Sequence, residues 1–94
     1  KNIKKVICIS VNDPFVMAAW GKDRSAGEDV LMLSDGNAEF TSAIGLEMDG
    51  SGFGLGTRSQ RYAMIIDDGV VSTLNVESGP GLEVSSAETI LEAL

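Results

Sequence analysis

The run Val6-Ile7-Cys8-Ile9-Ser10-Val11 passes directly into Asn12-Asp13-Pro14, and this junction constrains the fold more than any other stretch of the chain. A nearly continuous apolar, β-branched run of this length predicts a strand buried on both faces of a parallel sheet. The polar pair after it offers a capping side chain. Pro14 then fits the first helical position, where its missing N–H costs nothing. A helix of about three turns follows, with Phe15, Val16, Ala19 and Trp20 at helical spacing, Gly21 to Arg24 leading into solvent and Ser25-Ala26-Gly27 as its stop. Val30-Leu31-Met32-Leu33 reads as a second buried strand, so residues 6 to 34 form a βαβ unit.

Asp35-Gly36-Asn37 is a turn, and Ala38 to Leu46 predicts a short second helix ending near Gly45. Glu47 to Ser59 holds four glycines and few apolar anchors, which reads as a long flexible loop. Arg61 to Ile66 and Val70 to Val76 flank Asp67-Asp68-Gly69, and an Asp-Gly pair between β-rich runs predicts a hairpin. Glu77 to Leu82 is a Gly/Pro turn. Ser85-Ser86-Ala87-Glu88 matches a capping box ahead of a last amphipathic helix carrying Ile90, Leu91 and Leu94. The fold class is therefore α/β: a βαβ unit, a short helix, a β-hairpin and a C-terminal helix.

Ninety-four residues suffice for one domain with one core. Fourteen acidic against seven basic residues give a net charge of -7, which repels phosphate backbones and anionic lipid, so neither nucleic acid nor a membrane surface is an expected partner. No apolar run approaches the roughly 20 residues that span a bilayer, and the chain reads as soluble. One Cys and no His exclude an internal disulfide, a four-ligand zinc site and a Ser/His/Asp triad. The first residue is Lys rather than Met, from which upstream sequence is expected.

Gly52-Phe53-Gly54-Leu55-Gly56 lacks the strand before and helix after that a phosphate loop requires, and its spacing fits neither nucleotide fingerprint. Cys8, in the most apolar strand, reads as an inert small hydrophobe with a raised pKa, with a redox role as the alternative. Arg61, at the start of an apolar strand, either points its donors into a cleft to bind an anion or oxygen-rich group, or pairs with a surface carboxylate. Arg58 is expected to face solvent. Turn formation accounts for Asp35, Asp67 and Asp68.

Cys8-Ile9-Ser10-Val11-Asn12-Asp13-Pro14-Phe15-Val16-Met17 with Ala19-Trp20 closely resembles the strand-to-helix segment of type-5 (type II) peroxiredoxins. Further matches run in the same order: Leu33-Ser34-Asp35-Gly36-Asn37 with Glu39-Phe40, Gly56-Thr57-Arg58-Ser59-Gln60-Arg61-Tyr62, Asp68-Gly69-Val70-Val71 with Leu74-Asn75-Val76-Glu77, and Val84-Ser85-Ser86-Ala87. The resemblance covers essentially the whole chain. It implies part of a thioredoxin-like fold and a cysteine-based peroxidase that reduces hydrogen peroxide and alkyl hydroperoxides, recycled by glutaredoxin with glutathione or by thioredoxin, and needing no bound cofactor. In such enzymes a peroxidatic thiolate attacks the O–O bond and becomes a sulfenic acid.

Arg61 matches the arginine that favours this thiolate and holds the peroxide oxygens. The motif with the peroxidatic Cys, and the Pro and Thr before it, has no counterpart among these residues, so the chain resembles the C-terminal part of a single peroxiredoxin domain, inactive by itself. The strand that carries this motif would lie between β-run 6–11 and the Arg61 strand. Without it the βαβ unit and the hairpin share no ladder and leave edges and an apolar face open. Animal-like members place a resolving Cys where Val84 stands. Plant-like members place it at the position of Cys8, and other members use Cys8 as packing. The resemblance also implies a homodimer, with Phe15 as a candidate interface residue. It suggests a cytoplasmic protein, or an organellar one if an upstream segment targets it. The reading from a different class is a non-catalytic thioredoxin-like binding module or half-domain that pairs with another chain.

Overall fold

The computed structural model describes residues 3–79 and 81–94. Lys1 and Asn2 of the basic start, and Pro80 of the expected Gly/Pro turn, lie outside the described residues. The chain divides into two compact units, Lys1–Ser59 and Gln60–Leu94.

In the first unit, β1 (Val6–Ser10) pairs in parallel with β2 (Val30–Ser34) through α1 (Pro14–Asp23), which is the expected βαβ unit. Cys8 stands opposite Met32 in this ladder. Helix α1 starts where the chemistry of its first residues dictates: Asp13 Oδ1 accepts the Val16 N–H at 2.8 Å and Pro14 takes the first turn. The buried face of α1 is narrower than its run of apolar residues. Met17 and Gly21 are buried, whereas Phe15 is 84% exposed and Val16 and Trp20 are also exposed. One reason is a close approach, since a Cβ on Gly21 would stand 2.9 Å from Met32 Cγ. Glycine there lets α1 settle onto β2, and the i, i+4 pair Met17/Gly21 sets the face.

The burial of β1 on both faces is not observed, because Val6 and Ile7 are about half exposed and, among the described residues, β1 has only β2 as a ladder partner. The first-unit core consists of Val11, Met17, Ala38 and Leu46. Helix α2 (Glu39–Ala43) is shorter than expected, and Leu46 lies beyond it. The segment expected as a flexible loop is ordered by backbone pairing: β3 (Glu47–Asp49) runs antiparallel to β4 (Thr57–Ser59), joined by a 3-10 turn at Ser51–Phe53. Gly50 is the tight point. Its N–H donates to the Gly56 carbonyl at 2.6 Å, and a Cβ there would meet Leu55 Cβ at 2.9 Å. Glycine content signalled close backbone contact here rather than freedom.

In the second unit, β5 (Tyr62–Asp67) and β6 (Val70–Val76) form the expected hairpin. Asp68 and Gly69 both adopt positive φ, 51° and 78°, the left-handed pair that a two-residue hairpin turn of matching twist requires. The register shifts between Ile65 and Ile66, so Ser72 is the extra residue of a bulge. Helix α3 (Ala87–Ala93) is capped by Ser86, one residue later than the expected box, with the Ser86 hydroxyl accepting from Thr89 N–H at 3.2 Å. Among the described residues the three ladders β1–β2, β3–β4 and β5–β6 are separate two-stranded sheets.

Candidate functional site

Arg61 is exposed and sits immediately before β5, one residue outside the strand expected to begin with it. Its backbone is held at the open end of the hairpin: Tyr62 pairs with Val76, and one step further the Glu77 N–H donates to the Arg61 carbonyl at 2.9 Å. An exposed guanidinium on a ladder-fixed backbone offers several donors to an anion or oxygen-rich ligand with little reorganisation.

Glu77 is the buried residue of this unit among those described, with 7% exposure. Its Oε2 accepts the N–H groups of Glu83, Val84 and Ser85 at 2.9, 2.9 and 2.8 Å and the Ser85 hydroxyl at 2.5 Å. The Ser85 hydroxyl is the main reason the Glu77 carboxyl is held below the ordinary range, with burial opposing and the three backbone donors assisting. The same loop is tied to β6 by the Asn75 side-chain amide, which donates to the Val84 carbonyl at 2.9 Å. Val84 is therefore anchored through its N–H and its carbonyl.

Cys8 is a half-buried free thiol in the middle of β1, and burial pushes its pKa up. Both features disfavour the thiolate, the reactive form. Phe15 projects from the first turn of α1 almost fully exposed.

Arg58 corrects the expectation of a solvent-facing side chain. It is half-buried, with Nη1 donating to the Val11 carbonyl at 2.7 Å and to Asn12 Oδ1 at 2.9 Å, and Nε donating to the Leu55 carbonyl at 3.1 Å. The unforeseen β3–β4 hairpin carries it to the β1–α1 junction. There it lines, with Asn12, Asp13, Gly36, Asn37 and Leu55, an open cleft of about 530 Å³ at the carboxyl end of β1. That is where open α/β sheets place ligands, but Asp13 is engaged as the α1 cap and Arg58 in holding backbone.

Asp35, read as a turn residue, is a second buried carboxylate. Its Oδ1 accepts the Phe40 N–H at 3.1 Å, and its Oδ2 accepts the Thr41 N–H at 2.8 Å and the Thr41 hydroxyl at 2.6 Å. It thereby caps α2, whose N-cap position is Ala38. The Thr41 hydroxyl chiefly holds its pKa below the ordinary value. Sequence reasoning missed Asp35 and Glu77 as anchors. No local motif links an acid to donors five to eight residues later.

Both carboxylates bind protons less readily folded than unfolded. The stability they confer is fully present above their ordinary unfolded pKa of about 4 and is lost as pH falls through the lower folded values. Denaturant unfolding between about pH 2 and pH 7 is expected to show a flat upper range and a steep acid decline. In Ser85→Ala the folded pKa of Glu77 rises towards its unfolded value, so the acid decline should be shallower and start from a lower plateau. An unchanged profile in that variant would remove Glu77 as a contributor.

The Redoxin family model matches residues 1–91. The chain is 53% identical over 96 residues to Peroxiredoxin-2E, chloroplastic, of Arabidopsis thaliana, covering 100% of this chain and 41% of that relative. It is 50% identical over 94 residues to Peroxiredoxin-2B of the same plant, covering 100% and 58%. The crystal structure of reduced Prx3 in complex with hydrogen peroxide from Vibrio vulnificus is similar with a TM-score of 0.91 and 63% identity, over 98% of this chain and 59% of that one. The chain thus spans about half the length of the curated relatives it matches. With its strand and helix order, its Asp-Gly hairpin and a family match running almost end to end, the chain belongs to the Redoxin family, within the thioredoxin-like superfamily.

Proposed function

We propose that these 94 residues are the C-terminal part of a type-5 peroxiredoxin domain of about 160 residues, a thiol-dependent peroxidase acting on hydrogen peroxide and alkyl hydroperoxides. The observation that carries this reading is the 63% identity, along 98% of the chain, to a reduced peroxiredoxin crystallised with hydrogen peroxide. The 41% and 58% shares of the plant relatives support a longer parent domain.

In the proposed reaction a cysteine thiolate from the remainder of the domain attacks the terminal peroxide oxygen. The S–O bond forms as the O–O bond breaks, the thiolate is oxidised to sulfenic acid, and the leaving alkoxide or hydroxide takes a proton to become alcohol or water. Arg61 supplies fixed positive charge and N–H donors to the thiolate and to the oxygens as negative charge develops on them. The sulfenic acid then condenses with a thiol, releasing water, and the resulting disulfide is reduced by glutaredoxin with glutathione or by thioredoxin. Cys8 is assigned to packing, on the strength of its burial and raised pKa. A homodimer that uses Phe15 belongs to the same reading, as does a cytoplasmic location. The organellar alternative rests on relatives named chloroplastic and mitochondrial.

The test is the complete reading frame. An adjoining upstream segment with a Pro, a Thr and a Cys, whose product consumes peroxide with glutaredoxin and glutathione, supports the proposal. A stop codon directly before Lys1 sinks it in favour of a binding module. In the active product, Cys8→Ser is expected to leave glutaredoxin-supported turnover within about two-fold. A loss of orders of magnitude would make Cys8 the resolving thiol instead.

A further inference from the structure

The β5–β6–α3 unit has an unusual centre. The one buried residue among those described is the carboxylate of Glu77, where an apolar side chain is the common choice. A buried carboxylate is tolerated when donors surround it, and Oε2 gathers four of them from Glu83, Val84 and Ser85. The same residue's N–H reaches the other way, to the Arg61 carbonyl at 2.9 Å, and closes the hairpin ladder one step past the Tyr62–Val76 pair. Glu77 is thus a junction with two arms. Its side chain fixes the 83–85 loop, and its backbone fixes the residue from which the Arg61 guanidinium projects.

We propose that Glu77 is a positioning residue for Arg61, holding the arginine's backbone at the ladder end through the carboxylate-anchored 83–85 loop. The inference rests on the peroxide-binding role proposed for Arg61. Releasing the side chain of Glu77 frees the loop, loosens the last ladder bond and lets the Arg61 backbone fray. Strand ends held by a single bond are where local opening is cheapest. A guanidinium on a fraying backbone then spends only part of its time in the geometry that stabilises the reacting oxygens, and positional loosening of this kind lowers rate without removing any reacting group.

The experiment is a double-mutant cycle in the full-length protein, with kcat/KM measured separately for hydrogen peroxide and for the thiol reductant, alongside thermal unfolding. Glu77→Ala is expected to lower kcat/KM for peroxide by about ten-fold and leave kcat/KM for the reductant unchanged. In an Arg61→Ala background the same substitution should have no further effect. Glu77→Gln, which keeps an acceptor oxygen at the same reach, should recover most of the loss. A general loss of folded protein would instead lower both values of kcat/KM and persist in the Arg61→Ala background.

Ser85→Ala, which removes one of the four donors, keeps the test decisive if Glu77→Ala does not fold. It is expected to cost about three-fold on peroxide, again only when Arg61 is present. Additive losses, or wild-type kcat/KM in a folded Glu77→Ala or in Ser85→Ala, overturn the positioning role. Wild-type turnover in Arg61→Ala alone is a different result. It removes the role of Arg61 itself, and that of Glu77 with it.

Discussion

Replacing Arg61 with alanine in the full-length protein is expected to lower kcat/KM for peroxide by about 10²–10³-fold, or roughly 3–4 kcal/mol of transition-state stabilisation, the usual loss when one donor to a developing oxyanion is removed. The fold should be untouched. Arg61 is exposed, and the bond that secures it, from Glu77 N–H to its carbonyl, is a backbone bond that alanine keeps. Unfolding midpoints should therefore match the wild type, since exposed substitutions rarely move stability beyond about 0.5 kcal/mol. Steady-state peroxide consumption and a denaturant curve on the same preparation check both halves. Wild-type turnover would return Arg61 to the role of a surface charge. Lysine at this position should restore little, because it offers a point charge in place of a planar fork of donors.

The second large effect is on stability. Met17→Ala is expected to destabilise the protein by about 2–4 kcal/mol, a substantial share of the roughly 5–15 kcal/mol that separates folded from unfolded domains. Met17 is 1% exposed and belongs to a first-unit core of only four buried apolar residues among those described, so few neighbours can close the cavity. Phe15, two residues earlier on α1, is the internal control. At 84% exposure its replacement by alanine should change unfolding free energy by less than about 0.5 kcal/mol, while weakening self-association if α1 lies at a dimer interface. Equal destabilisation by the two substitutions would mean that α1 packs through the other face. Chemical unfolding at several protein concentrations separates folding from association.

The contrast between Met17 and Phe15 shows where the amino-acid order stops being informative. Both residues are apolar, and the spacing Phe15, Val16, Ala19, Trp20 is as good a helical stripe as any. Which stripe is buried depends on what it lands on, and Gly21 opposite Met32 allows the close approach on the Met17 side. Arg58 shows the same limit. It seemed a surface residue because nothing in the Gly-rich segment suggested strand pairing, yet the β3–β4 ladder delivers it to Val11 and Asn12, 47 and 46 positions away. The strand expected to begin at Arg61, by contrast, was legible to within one residue, since β5 starts at Tyr62.

What the order of residues determined by itself is most of the elements, the β3–β4 hairpin excepted. The Asp13 cap with Pro14, the Asp68-Gly69 turn and the apolar runs of β1, β2, β5 and β6 each act within a few positions, so their physics is complete before any distant contact forms. The tertiary structure alone decided which faces are buried and where the two buried carboxylates act. It took Asp35 to the head of α2 and Glu77 to the 83–85 loop, where donors brought round by the chain surround each one. A buried charge is stable only where those donors converge, and convergence is a property of the folded path rather than of spacing along the chain.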